Sequence, residues 1–239
     1  MRSFAAGCRQ HGHGFLVIGD RSSPAEFQLE DCDHWSLERQ TTMPFQLAVS
    51  LPERHYARKN LGYLEAIRNG ASIILESDDD NFPSPAFWEP RAQHSHADVL
   101  SGVGWVNVYR HFSPERIWPR GFPLELLQDP VPSTFASKAS QAPIQQGLAD
   151  GDPDVDAIYR CTGVLPVDFA RRDRPIALSK GSWCPFNSQN TTWHSEAFPL
   201  LYLPSYCSFR MTDIWRSFVA QRICWENGWD VLFHNATVR

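Results

Sequence analysis

The sequence predicts an α/β fold in which helices flank a mostly parallel central sheet. Three observations carry this expectation. An apolar run, GFLVIGD at 14–20, ends in Gly-Asp, and a helical pattern follows at 51–71. A second apolar run, ASIILES at 71–77, then opens directly onto Asp78, Asp79 and Asp80. Strand, connection, helix, strand is the β-α-β order that builds parallel sheets. Acidic residues stand at the carboxyl ends of both strands, where open α/β sheets bind ligands.

Each element has its own signal. The first run reads as a strand ending at Asp20. In the helix, Pro52 suits the first turn and Gly70 the end. Tyr56, Tyr63 and Ile67 share a stripe, with Ala57, Leu61 and Leu64 beside it. Ile73, Ile74 and Leu75 read as a buried strand, and the alternation at 98–112 as a further strand region. From Pro114 to Pro153 the chain is rich in Pro, Ser, Gln and Gly, which predicts a long irregular excursion shaping a ligand site. A short apolar segment at 199–207 is broken by Pro204. Residues 211–228 predict a helix capped by Thr212 and ended by Gly228. Its helical spacing is set by Ile214 and Phe218 and by Trp215, Val219, Arg222 and Ile223. WDVLFHN at 229–235 reads as a last strand.

The 239 residues suffice for one domain spanning 1–239. It reads as truncated at one or both ends, since residues 1–13 lack the strand that opens a doubly wound domain. Apolar residues make up 42% and charged residues 21%, a globular composition. A net charge of −5 and no Lys/Arg run longer than two argue against a nucleic-acid partner. No segment approaches the ~20 apolar residues that span a bilayer, and the start lacks the apolar core of a signal peptide. Six scattered cysteines without a CxxC pair fit an intracellular thiol protein better than a disulfide scaffold. The expected location is a soluble, cytoplasmic domain, unless the chain is a piece of a longer membrane or secretory protein.

The triple aspartate is the main chemical signal. Neighbouring carboxylates raise the cost of ionising one another. Such a cluster is either a solvated strand-end turn or a cation site. Asp-x-Asp after a strand suits Mg²⁺ or Mn²⁺, with coordination positions left for phosphate oxygens. The cation would neutralise charge on a departing diphosphate. Arg58 and Lys59 would add positive charge beside it; taken singly, each also fits a solvated helix face. No Gly-rich phosphate loop and no hydrolase elbow occurs, so metal and side chains would have to hold the phosphate.

The sequence also carries weaker signals. His94 and His96 lack a third ligand and read as a surface loop, and His11 and His13 carry less. Asp150, Asp152, Asp154 and Asp156 imitate a calcium loop without its central glycine and distant glutamate. Asp154 and Asp156 read as loop residues approaching a ligand. Trp183, Trp193, Trp215, Trp225 and Trp229 crowd the last third. Tryptophan is usually core, although aromatic faces also stack on sugars, which leaves one or two for an acceptor side.

ARKNLGYLEAIRNGASIILESDDDN at 57–81 resembles the GT-A glycosyltransferases, in which a helix with Arg/Lys-Asn precedes a strand and a DxD motif. With WPRGFPLELL at 118–127, APIQQGLADGDPDVDAIYR at 142–160 and FRMTDIWRSFVAQRICWENGWDV at 209–231, the chain resembles the STELLO-type glycosyltransferases. It is more distantly similar to the reversibly glycosylated polypeptides, which include UDP-arabinopyranose mutases. The resemblance implies a GT-A, Rossmann-like nucleotide-sugar-binding sandwich, a nucleoside-diphosphate sugar donor such as a UDP-sugar, Mn²⁺ or Mg²⁺, and a carbohydrate or glycan acceptor. It places Asp20 near the base or ribose, Arg58, Lys59 and Asn60 toward the donor, and Asp78 and Asp79 on the nucleotide sugar. Asp78 and Asp80 would ligate the metal, and Asp213 would deprotonate the acceptor hydroxyl.

Two departures matter. The mutase branch carries a glycosylated arginine shortly after an RGYPF-like stretch; here Leu126, Leu127 and Gln128 follow instead, and Arg120 precedes the turn. A mutase is therefore disfavoured. GT-A enzymes often take a late histidine as metal ligand, and His234 is the one late candidate; it reads as a strand-end histidine instead. The expectation is a metal-dependent glycosyltransferase. The alternative is a non-catalytic GT-A-like scaffold assisting a polysaccharide synthase, Golgi- or membrane-associated within a longer chain.

Overall fold

The computed structural model describes residues 1–24 and 26–239. Its helices are α1 (Arg2–His11), α2 (Leu37–Gln40), α3 (Leu47–Ser50), α4 (Lys59–Arg68), α5 (Ala157–Thr162) and α6 (Thr212–Glu226). Its strands are β1 (Leu16–Ile18), β2 (Asp33–Trp35), β3 (Ile73–Ser77), β4 (His94–Leu100), β5 (Gly104–Trp105), β6 (Ala136–Gln141), β7 (Ile144–Ala149), β8 (Ile176–Leu178), β9 (Ser182–Trp183), β10 (Asn190–His194) and β11 (Val231–Val238). Among the described residues no helix is long and apolar enough to cross a membrane.

The class is α/β as expected, but the sheet is not mostly parallel. Seven strands run in the order β3-β10-β7-β11-β8-β4-β6. Only β11 with β7 and β4 with β8 pair in parallel; the other four pairings are antiparallel. The first strand stands apart, pairing in parallel with β2 in a sheet of two. So β1 and β3 flank a helix in sequence without joining one sheet. The helix does pack on β1: a Cβ at Gly62 would lie 3.0 Å from Ile18 Cγ1, so the small residue permits the close approach.

Several expectations need correction. The helix expected from residue 51 starts later, with a 3₁₀ turn at Tyr56–Arg58 leading into α4. Pro52 lies outside it, and the His55 side chain accepts from the Ala57 amide at the start of the turn. β3 is an edge strand with one face uncovered: Ile74 and Glu76 are buried while Ile73 and Leu75 are exposed. The stretch 114–153 is not wholly irregular: it contains β6 and the interior strand β7, whose six residues are all buried. β7 escapes a hydropathy reading because it carries Gln145 and Gln146. Both amides are satisfied inside, for instance by the carbonyls of Ala92 and Asn190, as buried polar groups require.

Helix α6 is turned relative to its hydropathy. Thr212 does not cap it; its hydroxyl donates back to the Phe209 carbonyl, 3.2 Å. The buried face carries Asp213, Arg216, Ser217 and Gln221, whereas Trp215, Val219 and Ile223 are exposed. The core lies between the sheet and these helices and includes Trp193, Phe112, Phe186 and Phe233.

Candidate active-site cleft

A cleft of about 370 Å³ opens where the carboxyl ends of β3 and β7 meet the amino end of the antiparallel β10. β3 delivers Asp78, Asp79 and Asp80 on a turn. This turn is fastened to the loop before β10: Ser77 Oγ donates to the Gln189 carbonyl at 3.0 Å, and Asn81 Nδ2 donates to the same carbonyl at 2.7 Å. The loop after β7 delivers Asp152 and Asp154, and the first turn of α6 delivers Asp213. Arg120 enters from the segment 118–122. Gly121 has φ +87°, and a Cβ there would lie 2.6 Å from Ile214 Cγ2. Only glycine lets this segment lie so tightly on α6, which brings Arg120 against Asp213.

Charge is unevenly matched in the cleft. The lining carries six carboxylates, Asp78, Asp79, Asp80, Asp152, Asp154 and Asp213, against the guanidinium groups of Arg120, Arg160 and Arg210. Arg120 grips both Asp154 oxygens, at 2.8 and 2.7 Å, and donates to Asp213 Oδ2 at 2.8 Å. Arg160 pairs with Asp152 at 2.8 Å. Asp78 Oδ1 accepts from the Tyr56 hydroxyl at 2.5 Å and lies 3.4 Å from Lys59 Nζ. Among the described residues, no ion pair reaches Asp79 or Asp80.

Burial raises the Asp78 pKa above the usual carboxylate range; Lys59 and Tyr56 oppose the shift and Asp80 adds to it. Burial also raises Asp154, against the pull of Arg120. Burial opposes the charge on Arg120, yet Asp154 and then Asp213 hold its pKa above the ordinary value. Tyr56 is pushed well up by burial and by Asp78, so it stays a donor.

The sequence comparisons bear on the same chain. Over 252 aligned residues, 95% of the chain, it is 34% identical to Probable glycosyltransferase STELLO2 of Arabidopsis thaliana. Over 242 residues, 91% of the chain, it is 33% identical to Probable glycosyltransferase STELLO1 of the same plant. The chain belongs to the STELLO-type family. It spans 32% and 31% of the length of these two relatives. No family model matches it.

In this STELLO-type chain the sequence-derived candidates separate into two groups. Asp78, Asp79, Asp80 and Asp213 share the cleft, and Lys59 touches Asp78 from behind. Asp154 joins them. Asp20, Arg58 and Asn60 do not line it. Asp20 accepts from the amides of Arg54 and His55, at 2.9 and 3.0 Å, tying the end of β1 to the entry of α4. Arg58 is buried and donates to Gln40 Oε1 and the Leu51 carbonyl, at 2.9 and 3.0 Å. Asn60 bonds both the amide and the carbonyl of Leu203, each at 2.8 Å. Asp156 accepts from the Tyr159 amide at the start of α5 and from Trp118 Nε1.

His234 lies within β11 rather than at its end, outside the cleft lining. Its Nε2 accepts from Arg91 Nε at 3.2 Å. Burial, then Arg91, pushes its pKa down to about 3. His94 and His96 lie on β4. Among the described residues no tryptophan lines the acidic cleft; Trp193 is core, donating to Glu76 Oε1 at 2.8 Å.

Sequence reasoning did not assign Tyr56, Arg120, Arg160, Gln189, Phe209 or Arg210 to this site. The available signal was the clustering of WPRGFP and DGDPDVDAIYR among the motif stretches, which supply Arg120 and Arg160.

Among the described residues no three of His, Cys, Asp and Glu converge as a finished metal cage. The donor set nevertheless fits a hard divalent ion. Mg²⁺ is commonly held by one or two carboxylates plus substrate phosphates, and beside Asp78 the carboxylates of Asp79 and Asp80 have no ion pair among the described residues.

Proposed function

We propose that this region of chain performs metal-dependent transfer of a sugar from a nucleoside-diphosphate sugar, a UDP-sugar, to an acceptor hydroxyl on a glycan. One observation carries the reading: the cleft has more carboxylates than cations, and among the described residues no ion pair reaches the Asp79 or Asp80 carboxylate. Such a cleft repels a diphosphate unless a cation enters with it. Membership of the STELLO-type family supports glycosyl transfer as the reaction class.

In this reading Asp78 and Asp80 hold Mn²⁺ or Mg²⁺, which supplies charge neutralisation for the leaving diphosphate. Tyr56 and Lys59 orient Asp78. Arg160 and Arg210 offer guanidinium donors to phosphate oxygens at the cleft wall. Arg120 fixes the direction of the Asp213 carboxylate, and Asp213 receives the proton of the attacking hydroxyl. The same pairing also fits a purely structural Asp213, because its carboxylate already accepts from Arg120, the Ser188 amide and its neighbour's amide. That favours, as the second reading, a binding module that assists a polysaccharide synthase without turnover.

Titration of UDP with and without Mn²⁺ tests the first requirement. Metal-dependent binding that disappears in Asp80→Asn supports the site; equal binding with and without metal in both proteins overturns it. Release of nucleoside diphosphate from a panel of nucleotide sugars separates the enzyme from the scaffold.

A further inference from the structure

We infer that a second cavity, walled off from the acidic cleft by the segment 118–126, is a subsite for a neutral sugar ring. As an acceptor subsite it rests on the glycosyl-transfer reading; as a sugar site it stands on its own geometry.

The cavity measures about 230 Å³, below the ~300–1,000 Å³ typical of pockets for drug-sized ligands, and so suits one small ring rather than a nucleoside diphosphate. Val103, Trp105, Asn107, Phe122, Leu126 and Asp129 line it, and the Pro-Val-Pro stretch 130–132 closes a wall. Trp105 is half-buried on β5 and held by edge contacts with Phe122 at 6.1 Å and Phe218 at 5.6 Å. A fixed indole offers its electron-rich face to the C–H groups of a pyranose.

The polar groups select the ligand. Asn107 Nδ2 donates to the Ile117 carbonyl at 2.9 Å, which fixes the amide so that Oδ1 is the free atom. That Oδ1 is buried and has no partner among the described residues. Sealed from solvent, this oxygen meets no ligand directly, and Asn107 serves to hold the cavity wall. Among the described lining residues Asp129 alone is charged, and its carboxylate is an acceptor. One carboxylate and no cation suit hydroxyl donors and repel a phosphate or a uronic acid. The segment 118–126 serves both sites, placing Arg120 in the cleft and Phe122 and Leu126 in this cavity. A glycan held here would therefore lie one wall away from the reacting groups.

The test is saturation-transfer NMR on the whole chain, without nucleotide or metal, using the methyl glycosides of glucose, galactose and mannose, with methyl glucuronide as the anionic control. At least one neutral glycoside should bind, and the glucuronide should not. Val103→Trp, at an exposed rim position, should fill the cavity and weaken binding by about tenfold or more, equivalent to ~1.4 kcal/mol. Asp129→Leu should do the same by removing the acceptor. Asp80→Asn should leave glycoside binding unchanged, and Val103→Trp should leave metal-dependent UDP binding unchanged. If no neutral glycoside binds, if binding survives Val103→Trp, if the glucuronide binds equally, or if Asp80→Asn abolishes binding, the inference is overturned. Failure of UDP binding with glycoside binding intact would sink the transfer reading and leave the sugar site standing.

Discussion

Glu76 and Arg216 form an ion pair of 2.7 Å with each side chain only 1% exposed. It joins the edge strand β3, two residues before Asp78, to α6, three residues after Asp213. Trp193 Nε1 donates to the same carboxylate and Ser188 Oγ accepts from the guanidinium, so both halves of the cleft are fixed by one buried network.

Breaking that pair on one side should be severe. A lone buried charge costs about 3–5 kcal/mol, whereas replacing both partners by apolar groups is often neutral. Glu76→Gln should therefore lower the melting temperature strongly, and Glu76→Leu with Arg216→Met should recover most of the loss. Calorimetric unfolding of the three proteins checks this. A one-sided mutant as stable as wild type would show that the network does not hold the cleft.

Removing one acid from the triple aspartate should act in opposite directions with and without metal. Asp80 adds to the pressure that raises the Asp78 pKa. Asp80→Asn should thus be no less stable than wild type without metal, and should lose the stabilisation that Mn²⁺ with UDP gives. Thermal melts with and without the two ligands read both effects. Equal ligand-induced shifts in the two proteins would remove Asp80 from the metal site.

Asp213→Asn should separate chemistry from donor binding. As a general base, Asp213 contributes about 10²–10⁴-fold in rate, and the amide keeps its shape without accepting a proton. UDP affinity should change little, because Asp78 and Asp80 lie on a different element. Transfer within a few-fold of wild type would leave Asp213 as Arg120's structural partner.

Acid should destabilise the fold through two histidines. Burial, reinforced by a nearby arginine, pushes His111 down to about 4 and His234 to about 3, from an ordinary 6.5. Both stay neutral in the folded chain while the unfolded chain takes up protons. Their stabilising effect is full above pH 6.5 and is lost as pH falls toward those values, at up to ~1.4 kcal/mol per pH unit for each. Urea denaturation between pH 7 and 4.5 should show this slope, and His234→Gln should flatten it. An unchanged slope would mean that His234 is not protonated on unfolding in this range.

By itself the sequence determined the α/β class, the helices α4 and α6, the acidic turn after β3 and the family motifs, but not α1. These are local signals: helical spacing, a strand run ending in three aspartates, and short motifs in order. Only the tertiary structure decided the sheet and the membership of the cleft. Strand direction depends on which distant segment supplies the neighbouring hydrogen bonds, so a strand-helix-strand sequence did not oblige β1 and β3 to share a sheet. Hydropathy also missed β7 and the buried face of α6, because Gln145, Gln146, Arg216 and Gln221 are buried with partners that hydropathy cannot see. For the same reason Arg58 and Asn60, adjacent in sequence to Lys59, point into the scaffold, while Arg120 reaches Asp213 from 93 residues away. A helix turns successive side chains by about 100°, and only the packing around it decides which of them meets the cleft.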